Sequence, residues 1–310
     1  MNKFMSSLEK VLMPLAEKIG QNKLLIAIRD GFLVSSPLLI IGSIFLLIAN
    51  FPIPGWTEFW AQFFGPDWTS NLSHPVAATF DVMTLLAVFG IGYSYAKQTD
   101  VDPIASAAVA MVAFFILTPF SIGYTPEGAT EAVLVSGIPL GWMGSKGMFV
   151  GMITAITSVK LFGAVTKKGW VIKMPDGVPP TVAKSFAALI PSAVVMVVYF
   201  IINTLFGLTP YGSVHEFIYK FLQMPLLHLG NSLGAMVIAY IFLHFFWFFG
   251  INGGSVVGAV YNPILKILSA ENLEAFKAGV EIPNIITGQF QDMFATFGGA
   301  GSTLSLLIAM

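Results

Sequence analysis

The chain has 310 residues, of which 56% are hydrophobic and only 10% charged, and its net charge is −1. Soluble domains carry roughly 25% charged residues, so this composition, with a mean hydropathy of +0.81, reads as a polytopic membrane protein. Near-neutral charge offers nothing to nucleic acid, and a cysteine count of zero excludes disulfides, thiolate metal sites and any cysteine nucleophile on these residues.

The N-terminal stretch has neither the compact apolar region nor the small-residue cleavage site of a secretory signal. Phe4, Leu8, Val11, Leu12, Leu15 and Ile19 share one helical face, with Lys3, Lys10, Glu17 and Lys18 elsewhere. Residues 1–30 are therefore expected to form an amphipathic helix at the cytoplasmic interface. A membrane span needs about 20 mainly apolar residues. Stretches 31–50, 76–96, 103–120, 147–166, 185–206 and 232–251 are the span candidates. The stretch 132–143 is short and glycine-rich and is expected to be a hairpin or half-helix.

Basic residues fall unevenly between these spans. Residues 1–30 hold five, 97–102 one and 167–184 four, whereas 51–75, 121–146 and 207–231 hold zero, one and one. Positive charge favours the cytoplasm, which puts the N-terminus and the 167–184 segment there. Trp56, Trp60 and Trp68 fit the opposite interface. The segment 167–184 is rich in turn formers (Pro175, Gly177, Pro179, Pro180) and reads as a cytoplasmic linker. It divides an N-terminal transmembrane region, 31–166, from a second region, 185–310. No internal repeat is evident.

Past Asn252 no clean span is predicted. Gly253, Gly254, Gly258 and Pro263 interrupt 253–268, and 269–283 is polar and helix-prone. Irregular backbone at membrane depth is tolerated only against protein or water, so re-entrant hairpins are expected, of the kind that mark substrate sites in transporters. The final TLSLLIAM reads as a helix interrupted in mid-span.

Two readings stand for FFWFFGINGGS (245–255). It is either an aromatic membrane helix stopped by a glycine cap, or a ligand corner. In the second reading Gly253 and Gly254 admit backbone to a ligand, Asn252 offers a donor and acceptors, and Trp247 offers a flat face for a sugar ring. His244, on the same helix, is either satisfied in the bundle or part of a site, since ionisable groups in a membrane are costly. Asp292, before GGAGST (298–303), could bind a hydroxyl or cap a half-helix, or the cluster with its glycines could serve only close helix packing; without GxxxxGK[ST] the glycines are no nucleotide loop. Arg29–Asp30 reads as an interfacial ion pair. Asp81 and Lys160 sit within spans; Asp81 fits an aqueous interface, and Lys160 a side chain that snorkels to the surface. The four histidines, at 74, 215, 228 and 244, lack ligand spacing. No metal and no cofactor are expected.

RDGFLVSSPLLIIGSIFLLIANFP (29–52), MPDGVPPTVAKSFAALIP (174–191), FFWFFGINGG (245–254) and FGGAGSTLSLLIAM (297–310) together resemble the membrane-embedded IIC component of the lactose/cellobiose family of the bacterial sugar phosphotransferase system. The resemblance covers the whole chain. It implies an all-α polytopic permease of the bacterial cell membrane that works as a homodimer, with re-entrant hairpins in its sugar-binding region. It also implies a β-linked disaccharide such as cellobiose or diacetylchitobiose, phosphorylated on its 6-hydroxyl by the phosphocysteine of a separate IIB protein, itself charged by IIA. Substrate-binding residues expected on this basis are Asn252, Gly253, Gly254, His244, Trp247 and Asp292. Two departures stand out. Asn252 occupies the place of a family histidine and cannot titrate near neutrality. The family's Asn-Glu-Pro segment, whose glutamate is the expected base, does not occur before Met310, so the catalytic residue is unknown and the C-terminal part is expected to be lacking. The competing readings are a sugar-binding or sensing remnant and an ion-coupled secondary transporter using Asp81 and Asp292.

Overall fold

In the computed structural model of the protein, residues 14, 18, 21–126, 133–248 and 253–296 are described, with Phe248 and Ser255 placed by backbone alone. Helix α1 (Lys23–Ala49) starts where the Asn22 side chain accepts from the Leu24 and Leu25 amides. Its 27 residues rise about 40 Å at 1.5 Å each, enough to cross a bilayer. Amphipathic α2 (Trp56–Phe64) buries none of its residues. Its Trp56, Phe59, Trp60 and Phe63 rings pack against one another edge-to-face or tilted. Trp68 is buried and donates to the Thr57 carbonyl at 3.2 Å, tying α3 (Trp68–Val76) to α2.

A π-helical turn, Ala77–Asp81, carries α3 towards α4 (Met83–Gln98), so the predicted span 76–96 extends to 68–98. Asp102 caps α5 (Pro103–Leu117), whose proline sits in the first turn where no amide is needed. Ser121–Tyr124 and Val133–Ser136 then pair antiparallel, Ser121 opposite Ser136, and lead into the short α6 (Leu140–Met143). A hairpin followed by a helical turn is thus what the 132–143 segment belongs to. After the 3₁₀ turn Ser145–Gly147, α7 (Met148–Lys167) runs as the most enclosed span. Helices α4, α5 and α7 form the core, with Ile91, Phe114 and Phe162 fully enclosed and Val195 and Tyr199 of α9 packed on them.

Small residues set these helix crossings. A Cβ on Gly31 would lie 2.5 Å from the Ile91 amide nitrogen, and one on Gly90 2.5 Å from the Gly31 carbonyl. Lipid tails are as apolar as leucine, so helices in membranes associate through such close backbone approach rather than through hydrophobic gain. The glycine of the RDGF motif is therefore the point where α1 meets α4.

Beyond the linker, α8 (Pro180–Ala187) and α9 (Leu189–Gly207) read as one span of 28 residues that starts earlier than position 185. Then α10 (Val214–Ile218), a π turn (Tyr219–Gln223) and α11 (Met224–Gly230) form one limb, bent 79° from α12 (Leu233–Phe248). The all-α polytopic class holds: among the described residues four helices are long and apolar enough to cross a membrane, or five with the bent pair, and the 15-residue α5 is a shorter apolar helix.

The expected break after Asn252 is not found. Residues Gly253–Lys277 form one helix, α13, straight through Pro263. The glycines are close-contact positions rather than stops. A Cβ on Gly253 would collide with the Leu243 backbone, and Asn262 lies against Gly258. A ten-residue turn, 278–287, then reverses the chain into α14 (Gly288–Phe290) and a final π turn, Gln291–Ala295. The result is a helical hairpin.

Candidate functional site

Two polar clusters lie around this hairpin. The first lies where α12 and the final π turn approach each other. His244 is half-buried, and its Nδ1 lies 2.8 Å from the Tyr240 carbonyl, with the two rings 6.1 Å apart. The Tyr240 hydroxyl is buried without a well-aligned hydrogen-bond partner. The Gln291 side chain and the Asp292 carboxylate are its polar surroundings, and Tyr261 of α13 stands on the same side. An enclosed hydroxyl with spare bonding capacity is suited to a polar ligand.

The sequence-selected residues distribute as follows. His244 stands one helical turn from Tyr240, and Asp292, exposed on the π turn, lies within electrostatic reach of Tyr240. Trp247 lies further along α12, 40% exposed. Gly253 is buried against Leu243 and Gly254 is half-buried, both in the first turn of α13. Asn252 and the GGAGST segment lie outside the described residues. Sequence reasoning missed Tyr240, Tyr261 and Gln291. Their only signal was polarity on otherwise apolar helices.

The second cluster fixes the hairpin. Asn284 donates to Glu271 Oε2 at 3.0 Å and to the Leu268 carbonyl at 3.3 Å, and accepts from Asn231 Nδ2 at 2.7 Å. Its backbone amide donates to Asn272 Oδ1 and its carbonyl accepts from Asn272 Nδ2. Ser269 donates to Gln289 Oε1 and accepts from the Gly288 amide. Glu271 is half-buried, with like-charged Glu274 and the side chains of Lys146 and His228 around it. Truncating Asn284 to alanine leaves Asn231 and Glu271 short of a partner, which costs about 2–4 kcal/mol for partly buried groups. Hydrogen exchange should consequently accelerate across 278–290 while α4, α5 and α7 stay protected. Unchanged exchange in the turn would count against this role.

Of the other charges singled out, Arg29 and Asp30 form the expected ion pair at 2.8 Å. Lys160 is exposed on α7. Asp81 takes Lys277 as its partner. His215, treated above only as lacking ligand spacing, is fully buried, with Nε2 3.0 Å from Thr118 Oγ1 and its ring 4.9 Å from Trp142. It anchors the bent limb to the core. Among the described residues no group of His, Asp or Glu could hold a metal.

Long apolar helices, a sharply bent pair and polar groups gathered at helix ends are the architecture of an integral membrane transporter. The chain belongs to the EIIC family of the phosphotransferase system, whose family model, described as "Phosphotransferase system, EIIC", matches residues 29–310. It is 44% identical over 313 residues to the cellobiose-specific EIIC component of Geobacillus stearothermophilus, covering 100% of this chain and 69% of that protein. It is 43% identical over 311 residues to the lichenan permease IIC component of Bacillus subtilis (strain 168), with coverage of 100% and 69%. The crystal structure of the transporter ChbC, the IIC component from an N,N′-diacetylchitobiose-specific phosphotransferase system, superposes with a TM-score of 0.92 at 47% identity, over 97% of this chain and 70% of that one. The resemblance carried by the RDGF, PDGVPP and FFWFFGINGG motifs is thereby met. This chain is a membrane-embedded sugar permease that acts with the other proteins of the system. Nothing in these matches favours the remnant or ion-coupled reading.

Proposed function

We propose that this permease carries a β-linked disaccharide of the cellobiose or diacetylchitobiose type and presents its 6-hydroxyl to the phosphocysteine of a separate IIB protein. The observation that carries the sugar class is sequence identity of 44% and 47%, over nearly the whole chain, to proteins described as specific for those two sugars. In this reading the P–S bond of IIB breaks, a P–O bond forms to the sugar, and the hydroxyl proton leaves to a base. The corner between α12, α13 and the final π turn binds the sugar. His244, Asn252 and Asp292 serve as polar partners, Trp247 as the ring platform, and Gly253 and Gly254 as the positions of closest approach.

We further infer a homodimer built on region 31–166, a cytoplasmic linker over 167–184 and a sugar-binding region over 185–310. The N-terminus faces the cytoplasm, a reading supported by the ten-against-two bias of basic residues in the loops. Titration of the full-length permease with cellobiose, diacetylchitobiose, lactose and glucose tests the sugar class. Cellobiose or diacetylchitobiose should bind at least tenfold more tightly than glucose, and equal affinity for all four would overturn it. Uptake into vesicles should follow the supply of phosphorylated IIB and ignore collapse of the proton gradient.

A further inference from the structure

Helix α13 carries four charged side chains, Lys266, Glu271, Glu274 and Lys277. Glu271 is held within its own hairpin by Asn284. Each of the other three ends on the N-terminal half of the chain. Lys277 Nζ lies 2.6 Å from Asp81 Oδ1, on the π turn before α4. Glu274 Oε1 accepts from Ser145 Oγ at 2.9 Å, on the 3₁₀ turn before α7. Lys266 Nζ donates to Ser36 Oγ at 3.2 Å and stands 5.0 Å above the Phe32 ring, both on α1. Positions 266, 274 and 277 fall within one face of a helix of 3.6 residues per turn.

The receiving side is braced independently. Thr84 of α4 donates to the Gly144 carbonyl at 2.6 Å, and Gln223 of the bent limb donates to the Ser145 carbonyl at 3.2 Å. A Cβ on Gly147 would strike the Trp142 carbonyl, so the turn is close-packed where it meets Glu274. The Asp81–Lys277 pair, by contrast, lines a cavity of about 650 Å³ together with Asn50, Ser73 and Phe276. Its two side chains stay 29% and 31% exposed. Ion pairs that water can reach contribute little to stability, so this contact can open at small cost. Charged groups that must part and re-form need such access, since breaking a sealed pair leaves an uncompensated buried charge.

Transport requires one part of the molecule to rock against another around the solute, and such movements switch between discrete packed arrangements. We propose that Lys277–Asp81, Glu274–Ser145 and Lys266–Ser36/Phe32 form a releasable latch. It holds α13, and with it the sugar corner, against the N-terminal half in one transport state, and it parts in the other. The latch rests on the sugar-permease reading above and adds a device that this reading does not contain.

The test uses the full-length permease carrying Asp81→Cys and Lys277→Cys; cysteine is otherwise absent from these 310 residues. A short bis-methanethiosulfonate bridges the pair and dithiothreitol removes it. Expected are near-complete bridging seen by intact mass, sugar binding within about threefold of the unbridged protein, uptake lowered at least tenfold, and recovery on reduction. Failure to bridge, or undiminished uptake by bridged protein, overturns the latch. If the unbridged variant does not transport, the exchange Asp81→Lys with Lys277→Asp decides. Uptake regained relative to Asp81→Lys alone supports the latch, and no recovery overturns it. Absence of sugar binding in the unmodified permease would instead defeat the permease reading and is read separately.

Discussion

Gly31→Val is expected to eliminate folded, monodisperse permease from membrane extracts. The new branched side chain would stand where the Ile91 amide nitrogen lies 2.5 Å away and the Ile91 Cα only 2.6 Å away. Neither is the free end of a side chain, so relief requires α1 to move bodily from α4. Overpacking costs typically about 1–3 kcal/mol where side chains can yield, and a backbone obstacle puts the cost at the top of that range or beyond. Loss of the seam also exposes Gly90 and the core side chains behind it, because α1–α4 is the principal contact of α1. Gly234→Ala on α12 is the matched control. Nothing lies within 4 Å of its added Cβ, so the alanine meets no obstacle. Fluorescence-detected gel filtration after solubilisation, followed by melting, measures both. A Gly31→Val protein that is monodisperse and melts within a few degrees of the parent would refute the crossing.

What could be read from the sequence follows from what each element needs. Helices α1, α4, α7 and α9 are long and apolar, and composition alone finds them. The start at Pro180 escaped because VAKSFAAL (182–189) is amphipathic rather than apolar, although proline in a first turn is a helix-start signal. Helix α13 escaped for the opposite reason. Glycine and proline cost about 1 and 3 kcal/mol in a helix interior, so Gly253, Gly254, Gly258 and Pro263 read as breaks. Contact with the Leu243 backbone of the preceding helix explains Gly253, and no local rule contains that partner; at Gly258 the space is taken by Asn262, one turn along the same helix. The hydrogen-bonded pair Asp81 and Lys277 are 196 positions apart, so each looked like an isolated membrane charge. His244 and Asp292 were legible as ionisable groups beside apolar runs. Tyr240, which brings their neighbourhoods together, was not, because a tyrosine in an aromatic-rich helix carries no distinguishing pattern.

Asn252→Leu is expected to weaken disaccharide binding at least 100-fold while leaving the melting curve unchanged. Residue 252 directly precedes Gly253, whose seat against the Leu243 backbone fixes where α13 begins. In sequence it lies between His244, half-buried on α12, and the first residue of α13. A carboxamide there supplies two donors and an acceptor, suited to hydroxyls that are each both donor and acceptor. Leucine matches its size but returns none of these bonds, and a sugar hydroxyl left without a partner in a closed site costs about 1–3 kcal/mol; two such losses, about 4 kcal/mol at the middle of that range, exceed the roughly 2.8 kcal/mol that corresponds to 100-fold. Asn252→His separates hydrogen bonding from shape. An imidazole restores a donor and an acceptor and should keep affinity within about tenfold, and it adds a group that titrates near neutrality. Binding to Asn252→His should therefore acquire a dependence between pH 5.5 and 7.5 beyond any that the parent shows. If Asn252→Leu binds as the parent does, residue 252 is not a sugar contact, and the corner is then only the aromatic helix and its glycine stop.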